Sequence, residues 1–540
     1  LPWLKRLDGA LLDPPSGEGE PSTAGAAKWH GLCYAKLIFR VDIRSNFADW
    51  VTSVGPQLKR MAQDLFDRYG RLRPEFKDHP YMRGSGIWGD ELNVGNILLI
   101  ERLLADKHVR YRGKGRAIFN EVLENAHANS PKDSFIVITC IDKGVPLTLE
   151  DEAKMEHKMR DGVSFIRSLG FRRLGNTPWF AYSVQPGHKS RAMLPGDDYD
   201  PPSVVHPTTN LYEFAFHIIP WNDEVSCLRF FKDCLDNVDS SELNWASTNK
   251  RGRTVMHEAA LHIYPSVLGL IMEHAPQLTV TRDSAGATPF EALTLKLERK
   301  RTFHPDALTS GARPDEFVGY NPDEVACIRI LDTSNRTKEQ IRFGCTCGHC
   351  EGGYLSPRMT KRLELHADYI SRHLLSHVDT GDAPYYAPIN SMFDPGNKHM
   401  KAILHPHTRI MFLESLSLRH GFANHFAFLS QCLALNFAPT DINLVTILLN
   451  SGVQGEQARE FFEHGGSCQM IRSITFDVAA ANSEWAGTGS SQGRLYGSWG
   501  TLHECRNDLE FILAERFCNI DSNILLGQIP STMAYQSPSP

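Results

Sequence analysis

Two near-continuous apolar runs, Asn96–Ala105 (NILLIERLLA) and Ser134–Ile141 (SFIVITCI), stand out in the first third of the chain. The second is a continuous run rich in β-branched residues, as expected of a strand covered on both faces. Between them Ile118–Ala126 is amphipathic and predicts a helix. Gly162–Gly175 (GVSFIRSLGFRRLG) predicts a short helix broken at Gly170, then a strand from about Trp179 to Val184. Leu147–Asp161, densely charged and free of Gly and Pro, predicts a separate exposed helix. Tyr34–Val41 (YAKLIFRV), a helix over Trp50–Tyr69 and the apolar-edged Ser85–Leu92 complete a mixed α/β layer. From Ser356 to Cys518 the spacing is mostly helical, as in KRLELHADYISRHLL and in DINLVTILLNSG with its stop at Gly452. The expected fold class is multidomain: an α/β mixed sheet with flanking helices, followed by mainly α-helical regions.

A length of 540 residues suggests three or four domains. Residues 1–29 read as a flexible lead, with low complexity over Asp13–Ala27. The α/β domain spans 30–185 and ends at a linker, 186–207, rich in Pro, Gly and Asp. Within 208–300, Gly252, Thr254 and His257–Ala260 (GRTVMHEAA) recur as Gly286, Thr288 and Pro289–Ala292 (GATPFEA). The glycines and the threonines are each 34 positions apart, with Asn249 and Asp283 opening the two turns. The segment resembles ankyrin repeats, whose period is about 33 residues. That resemblance implies an array that docks a protein partner, an upstream unit falling around Asn210–Asn237. Helical hairpins that merely pack on the preceding domain are the other reading. A connecting segment (301–342), a Cys/His-rich segment (343–359), a helical region (360–525) and a disordered tail (526–540) follow.

Candidate chemistry begins in Val109–Ala117 (VRYRGKGRA), between the apolar run and the amphipathic helix. Glycines without Cβ let backbone N–H groups converge on an anion, and the following helix offers its unpaired first-turn donors and positive dipole end. Arg112, Lys114 and Arg116 add cations around the same place. A dinucleotide fingerprint needs GxGxxG and the Walker pattern needs Lys then Ser or Thr; neither is present. The run from Arg110 through Gly113 and Gly115 fits RxxGxG, and Phe165–Gly175 is a helix ending in LGF before a strand. These resemble motifs A and B of the GNAT superfamily of acetyl-CoA-dependent N-acetyltransferases, over residues 30–185.

The resemblance implies that coenzyme A diphosphate sits on the loop from Arg112 through Gly113, Lys114, Gly115 and Arg116 to Ala117. It places the pantetheine arm along the preceding strand, near the backbone of Leu103, Leu104 and Ala105. It assigns Glu101 as general base for an amine acceptor that attacks the thioester directly. The competing reading turns Glu101 to solvent, paired with Arg102 or Lys107. Two positions depart from the family: Ile166 stands where the usual acid is Tyr, and Met159 where Asn is common. The alternative function is accordingly a non-catalytic interaction scaffold with a degenerate coenzyme A-binding domain.

Phe343–Met359 (FGCTCGHCEGGYLSPRM) resembles a Cys-rich segment of fungal ankyrin-type proteins. Cys345, Cys347 and Cys350 place soft ligands in a Gly-rich loop, which predicts zinc, with free surface thiols or a redox pair as competitors. The adjacent His349 and Cys350 rarely reach one ion together, so the fourth ligand is sought at Cys327, His366 or Cys432.

Twelve cysteines without framework spacing fit a reducing compartment, cytosol or nucleus. A net charge of −6 with mixed signs gives no footprint for nucleic acid or an anionic membrane. No apolar run is long enough to span a bilayer. Pro2–Leu12, interrupted by Lys5, Arg6 and Asp8, lacks the apolar core of a signal peptide.

Overall fold

The structure, a computed structural model, describes residues 1–12, 29–105, 113–130, 134–141, 149–201, 219, 221–237, 245–302, 317–376, 378, 415–487 and 501–525. Arg110, Arg112, the low-complexity stretch Asp13–Ala27, the end of the linker and the tail lie outside them. The chain divides into two compact units, one of residues 1–314 with 326–332 and 484–492, the other of 315–325 with 333–483 and 493–540.

The first unit is built on a mixed seven-stranded sheet: β1 (Leu4–Arg6), β2 (Gly9–Leu12), β3 (Trp29–Ile38), β4 (Asn96–Ala105), β5 (Phe135–Cys140), β6 (Arg172–Arg173) and β7 (Trp179–Ser183). The order is β1-β3-β4-β5-β7-β6, with β2 also on β3. Every pairing is antiparallel except β4 with β5. The apolar runs fall on β4 and β5 because both faces are covered. One face carries Ile97, Leu99, Ile136 and Ile138 against helices α1 (Phe47–Val54) and α2 (Pro56–Leu65). The other carries Leu98, Ile100 and Val137 against α3 (Lys114–Asn129) and α4 (Leu149–Leu169).

Several boundaries differ from expectation. The helix expected over Trp50–Tyr69 is two helices, split at Gly55–Pro56, where proline starts a new first turn instead of continuing the old one. The two helices expected on either side of Asp161 are one, α4, which runs through Gly162. A single glycine inside a helix costs only about 1 kcal/mol, too little to stop a 21-residue helix. Leu4–Arg6 and Gly9–Leu12 of the expected lead are strands, anchored by the buried Trp3 and Leu7. The start of the expected linker is pinned to the sheet. Arg167 Nε donates to Asp198 Oδ2 at 2.7 Å, and Asp200 accepts from Arg167 and Arg173 at 2.8–2.9 Å. Despite partial burial, these guanidinium contacts hold the Asp200 carboxyl below its ordinary range.

In the same unit the repeated segment repeats in geometry. Asn249 Oδ1 accepts from the amides of Arg251 and Arg253 at 2.9 and 3.2 Å, and Asp283 Oδ1 from those of Ala285 and Ala287 at 2.9 and 3.0 Å. Thr254 and Thr288 then open the helices Val255–His262 and Pro289–Thr302. His257 and Glu291 each reach back to the threonine amide. Contacts such as His79 to Glu291, 2.9 Å, and the Arg282 guanidinium 4.0 Å from the Tyr81 ring centre seat this segment on the α/β layer.

The described part of the second unit is mainly helical, with Pro357–Leu375, Leu416–Ala434, Gly452–Glu463 and Cys468–Ala481 around Leu363, Phe422, Phe461 and Ile474. No helix among the described residues is long and apolar enough to cross a membrane.

Candidate functional site

The parallel pair at the centre of the sheet is forked. β4 pairs with β5 from Asn96 opposite Phe135 to Ile100 opposite Thr139, and there the ladder ends. Thr139 Oγ1 donates to the Ile100 carbonyl at 3.1 Å, closing the crotch. Beyond it β4 continues to Ala105 against β3 alone, so its edge over residues 101–105 has no strand partner among the described residues.

Glu101 is the extra residue of a β-bulge: Ala35 lies opposite Ile100 and Tyr34 opposite Arg102, leaving Glu101 unmatched. A one-residue insertion reverses which face later side chains occupy. Leu98 and Ile100 face the α3–α4 core; after the bulge Leu103 does so, while Leu104 is 44% exposed. Glu101 therefore stands where the strands separate. Two clefts meet at it. One, of about 360 Å3, is lined by Tyr34, Lys36, Gly55, Pro56, Gln57 and Glu101. The other, of about 280 Å3, is lined by Glu101, Leu103, Leu104, Cys140, Phe165 and Ile166. Glu101 and Arg102 belong to both.

The Glu101 carboxylate is half-buried and receives Lys36 Nζ at 2.7 Å. Its partner among the described residues is thus Lys36, on the neighbouring strand, and not Arg102; Lys107 lies outside the described residues. Leu103 and Leu104 line the second cleft, and Ala105 ends β4 opposite Gly31.

Gly113 caps α3 with φ +74°, a left-handed backbone that favours glycine. The amides of Lys114, Gly115 and Arg116 precede the first intrahelical bond, Ala117 N to Gly113 O at 3.1 Å. No acidic residue lies in that first turn. Gly115 is needed for a close approach: a Cβ there would sit 2.6 Å from Phe165 Cζ. The ring that presses on the helix start is thus also a wall of the second cleft. Ile166 lines that cleft beside it, so the position expected of a phenol offers no proton. The phenol that does line a cleft is Tyr34, which sequence reasoning missed together with Lys36.

In the second unit the sulfurs of Cys345, Cys347, Cys350 and Cys505 all lie within 4.8 Å of one another, a set that could hold a metal ion. Cys345, Cys350 and Cys505 are buried. Proton sharing among them is uneven: contact with Cys347 pulls the Cys345 thiol below its ordinary range, and contact with Cys345 pushes Cys350 above it. The fourth member of the cluster is Cys505, and not Cys327, His366 or Cys432. Cys432 is buried on its own helix, with its sulfur 3.5 Å from the Ala438 carbonyl, and His366 is buried on Pro357–Leu375. Cys327 belongs to the first unit. His349 stacks on His503 at 4.2 Å and is not a member of the cluster, in line with its adjacency to Cys350. Cys505 carries no local signal, standing alone in ECRNDLEFIL.

Compared with protein families, with curated proteins and with solved structures, the chain finds no match.

Proposed function

We propose that the α/β layer of the first unit is an acetyl-CoA-dependent N-acetyltransferase, with the ankyrin-like repeats beside it docking a protein partner. The observation that carries this reading is the fork at Ile100 and Thr139, where clefts on the two faces of the sheet share one carboxylate. A diphosphate suits the amides of Lys114, Gly115 and Arg116, which have no backbone partner among the described residues. From there a thioester arm can follow the unpaired edge of β4 past Leu103 and Leu104. The amine enters from the Lys36 side, and Glu101 takes its proton directly or through water once Lys36 yields the carboxylate. The nitrogen attacks the thioester carbonyl, the amide bond forms and the C–S bond breaks. The thiolate leaves as a good leaving group and takes its proton from solvent, since Ile166 supplies none. Twelve cysteines, none of them in a disulfide, suit a reducing cytosol or nucleus.

Titration calorimetry with acetyl-CoA, followed by thiol release with polyamines, peptides and lysine-rich proteins, tests this reading. Binding with turnover in one acceptor pool supports it. No binding of acetyl-CoA ends it. Binding without release in any pool favours the second reading, a scaffold with a degenerate coenzyme A site, to which Ile166 and the Lys36–Glu101 ion pair lend support.

A further inference from the structure

We propose that Cys345, Cys347, Cys350 and Cys505 hold one zinc ion as a closed tetrathiolate that clasps two segments of the second unit more than 150 positions apart. Successive sulfurs are 3.6 Å (Cys345 to Cys347), 3.7 Å (Cys347 to Cys350) and 3.4 Å (Cys350 to Cys505) apart. With Zn–S bonds of about 2.3 Å, the edge of a regular tetrahedron is about 3.8 Å. Disulfides require about 2.05 Å, so the sulfurs stand at ligand spacing and not at bonding distance.

A second, independent observation is the donor set around them. Each sulfur faces one N–H: Gly348 N at 3.3 Å from Cys345, His349 N at 3.4 Å from Cys347, Thr346 N at 3.5 Å from Cys505, and Asn507 Nδ2 at 4.0 Å from Cys350. Four neutral thiols have little use for four donors, whereas four thiolates on a divalent ion carry a net charge of −2 that such donors spread. On binding, each thiol releases its proton to solvent as its sulfur bonds the metal. The loop is shaped for this by Gly348, whose φ of +71° turns the chain between the second and third ligands.

The site is closed, hence structural. Four sulfurs, three of them on buried cysteines, complete a tetrahedron and leave no open position for water or substrate, in contrast to a catalytic zinc. The Cys505 side is held independently. Asn507 Nδ2 donates to the Gly353 carbonyl at 3.0 Å, the Cys505 amide to Asp508 Oδ2 at 3.0 Å, and Arg358 to the Leu502 carbonyl at 3.1 Å.

Elemental analysis of the full chain purified without added metal should find about one zinc per chain. Cobalt exchanged into the unsubstituted protein should show the strong visible bands of a tetrahedral tetrathiolate, a readout that needs no variant to fold. Cys505→Ser should lose zinc to a chelator at least tenfold faster, whereas Cys327→Ser, a buried thiol outside the cluster, should keep it. Iron as the occupant, no metal, disulfide-linked peptides among the four cysteines, or unchanged retention in Cys505→Ser would each overturn the proposal.

Discussion

A guanidinium inside a protein core usually faces carboxylates, but Arg40 is satisfied by main chain. It is 1% exposed and donates to the carbonyls of Gly70, Leu92, Val94 and Gly95 at 2.6–3.1 Å. Burial pushes its pKa down to about 9, still charged at neutral pH. Arg40→Met should cost about 3–5 kcal/mol in denaturant unfolding, because buried carbonyls at the start of β4 lose their donor. A loss below about 1 kcal/mol would mean that water replaces it. At the fork, Glu101→Gln should lower turnover by about 10²–10⁴-fold while leaving acetyl-CoA affinity nearly unchanged. The carboxylate itself was legible, lying in an apolar strand next to a glycine loop. Its partner was not, because the bulge that brings Lys36 into reach is a property of the β3–β4 pairing and leaves no mark in NILLIERLLA. Cys505 escaped for the same reason: the three cysteines it joins stand more than 150 positions away.

At the scale of elements, the strands were readable wherever both faces are buried, as in β5, whose first five residues are all buried. Helix lengths were less so. Gly55–Pro56 divides one expected helix and Gly162 fails to end another, because the outcome turns on whether a backbone hydrogen bond is lost. The two glycines at the start of α3 can be separated by experiment. At Gly113 an added Cβ meets open space, so Gly113→Ala should cost only the left-handed strain, about 1 kcal/mol. Gly115→Val should displace Phe165 into the cleft and weaken acetyl-CoA binding about tenfold or more, as read by calorimetry. Equal effects of the two substitutions on binding would show that Phe165 is not what couples the turn to the cleft.

For the molecule as a whole, acid should find the second unit through two histidines. His366 and His425 are 9% and 4% exposed, and burial pushes both from 6.5 down to about 4, helped at His366 by Arg362 and opposed at His425 by its bond to the Ala458 carbonyl. Below pH 6.5 the unfolded chain takes up protons that the folded one refuses, so stability is full above 6.5 and is lost as pH falls toward 4. The loss is at most about 3 kcal/mol per histidine, and His366→Leu should remove roughly half of the dependence in melts between about pH 7.5 and about pH 5. The first unit, for its part, recruits residues 484–492 from far downstream. Gly487 bridges Val94, exchanging bonds with Asn93 and Gly95 at 2.8 and 3.3 Å, and Trp485 packs 5.3 Å from Tyr69. Truncation after Val184 should therefore yield a sheet less stable than in the full chain, and Trp485→Ala should reproduce part of that loss. Equal melting of the truncated and full proteins would contradict it.

That late-arriving bridge sets a timetable. Val94 and Gly487 are 487 − 94 = 393 positions apart, and at about 5–20 residues per second a ribosome needs roughly 20–80 s to cover the interval. Throughout that time the nascent sheet is held beside β4 without its last main-chain partner, a window in which a chaperone could engage the half-finished α/β layer before translation completes it.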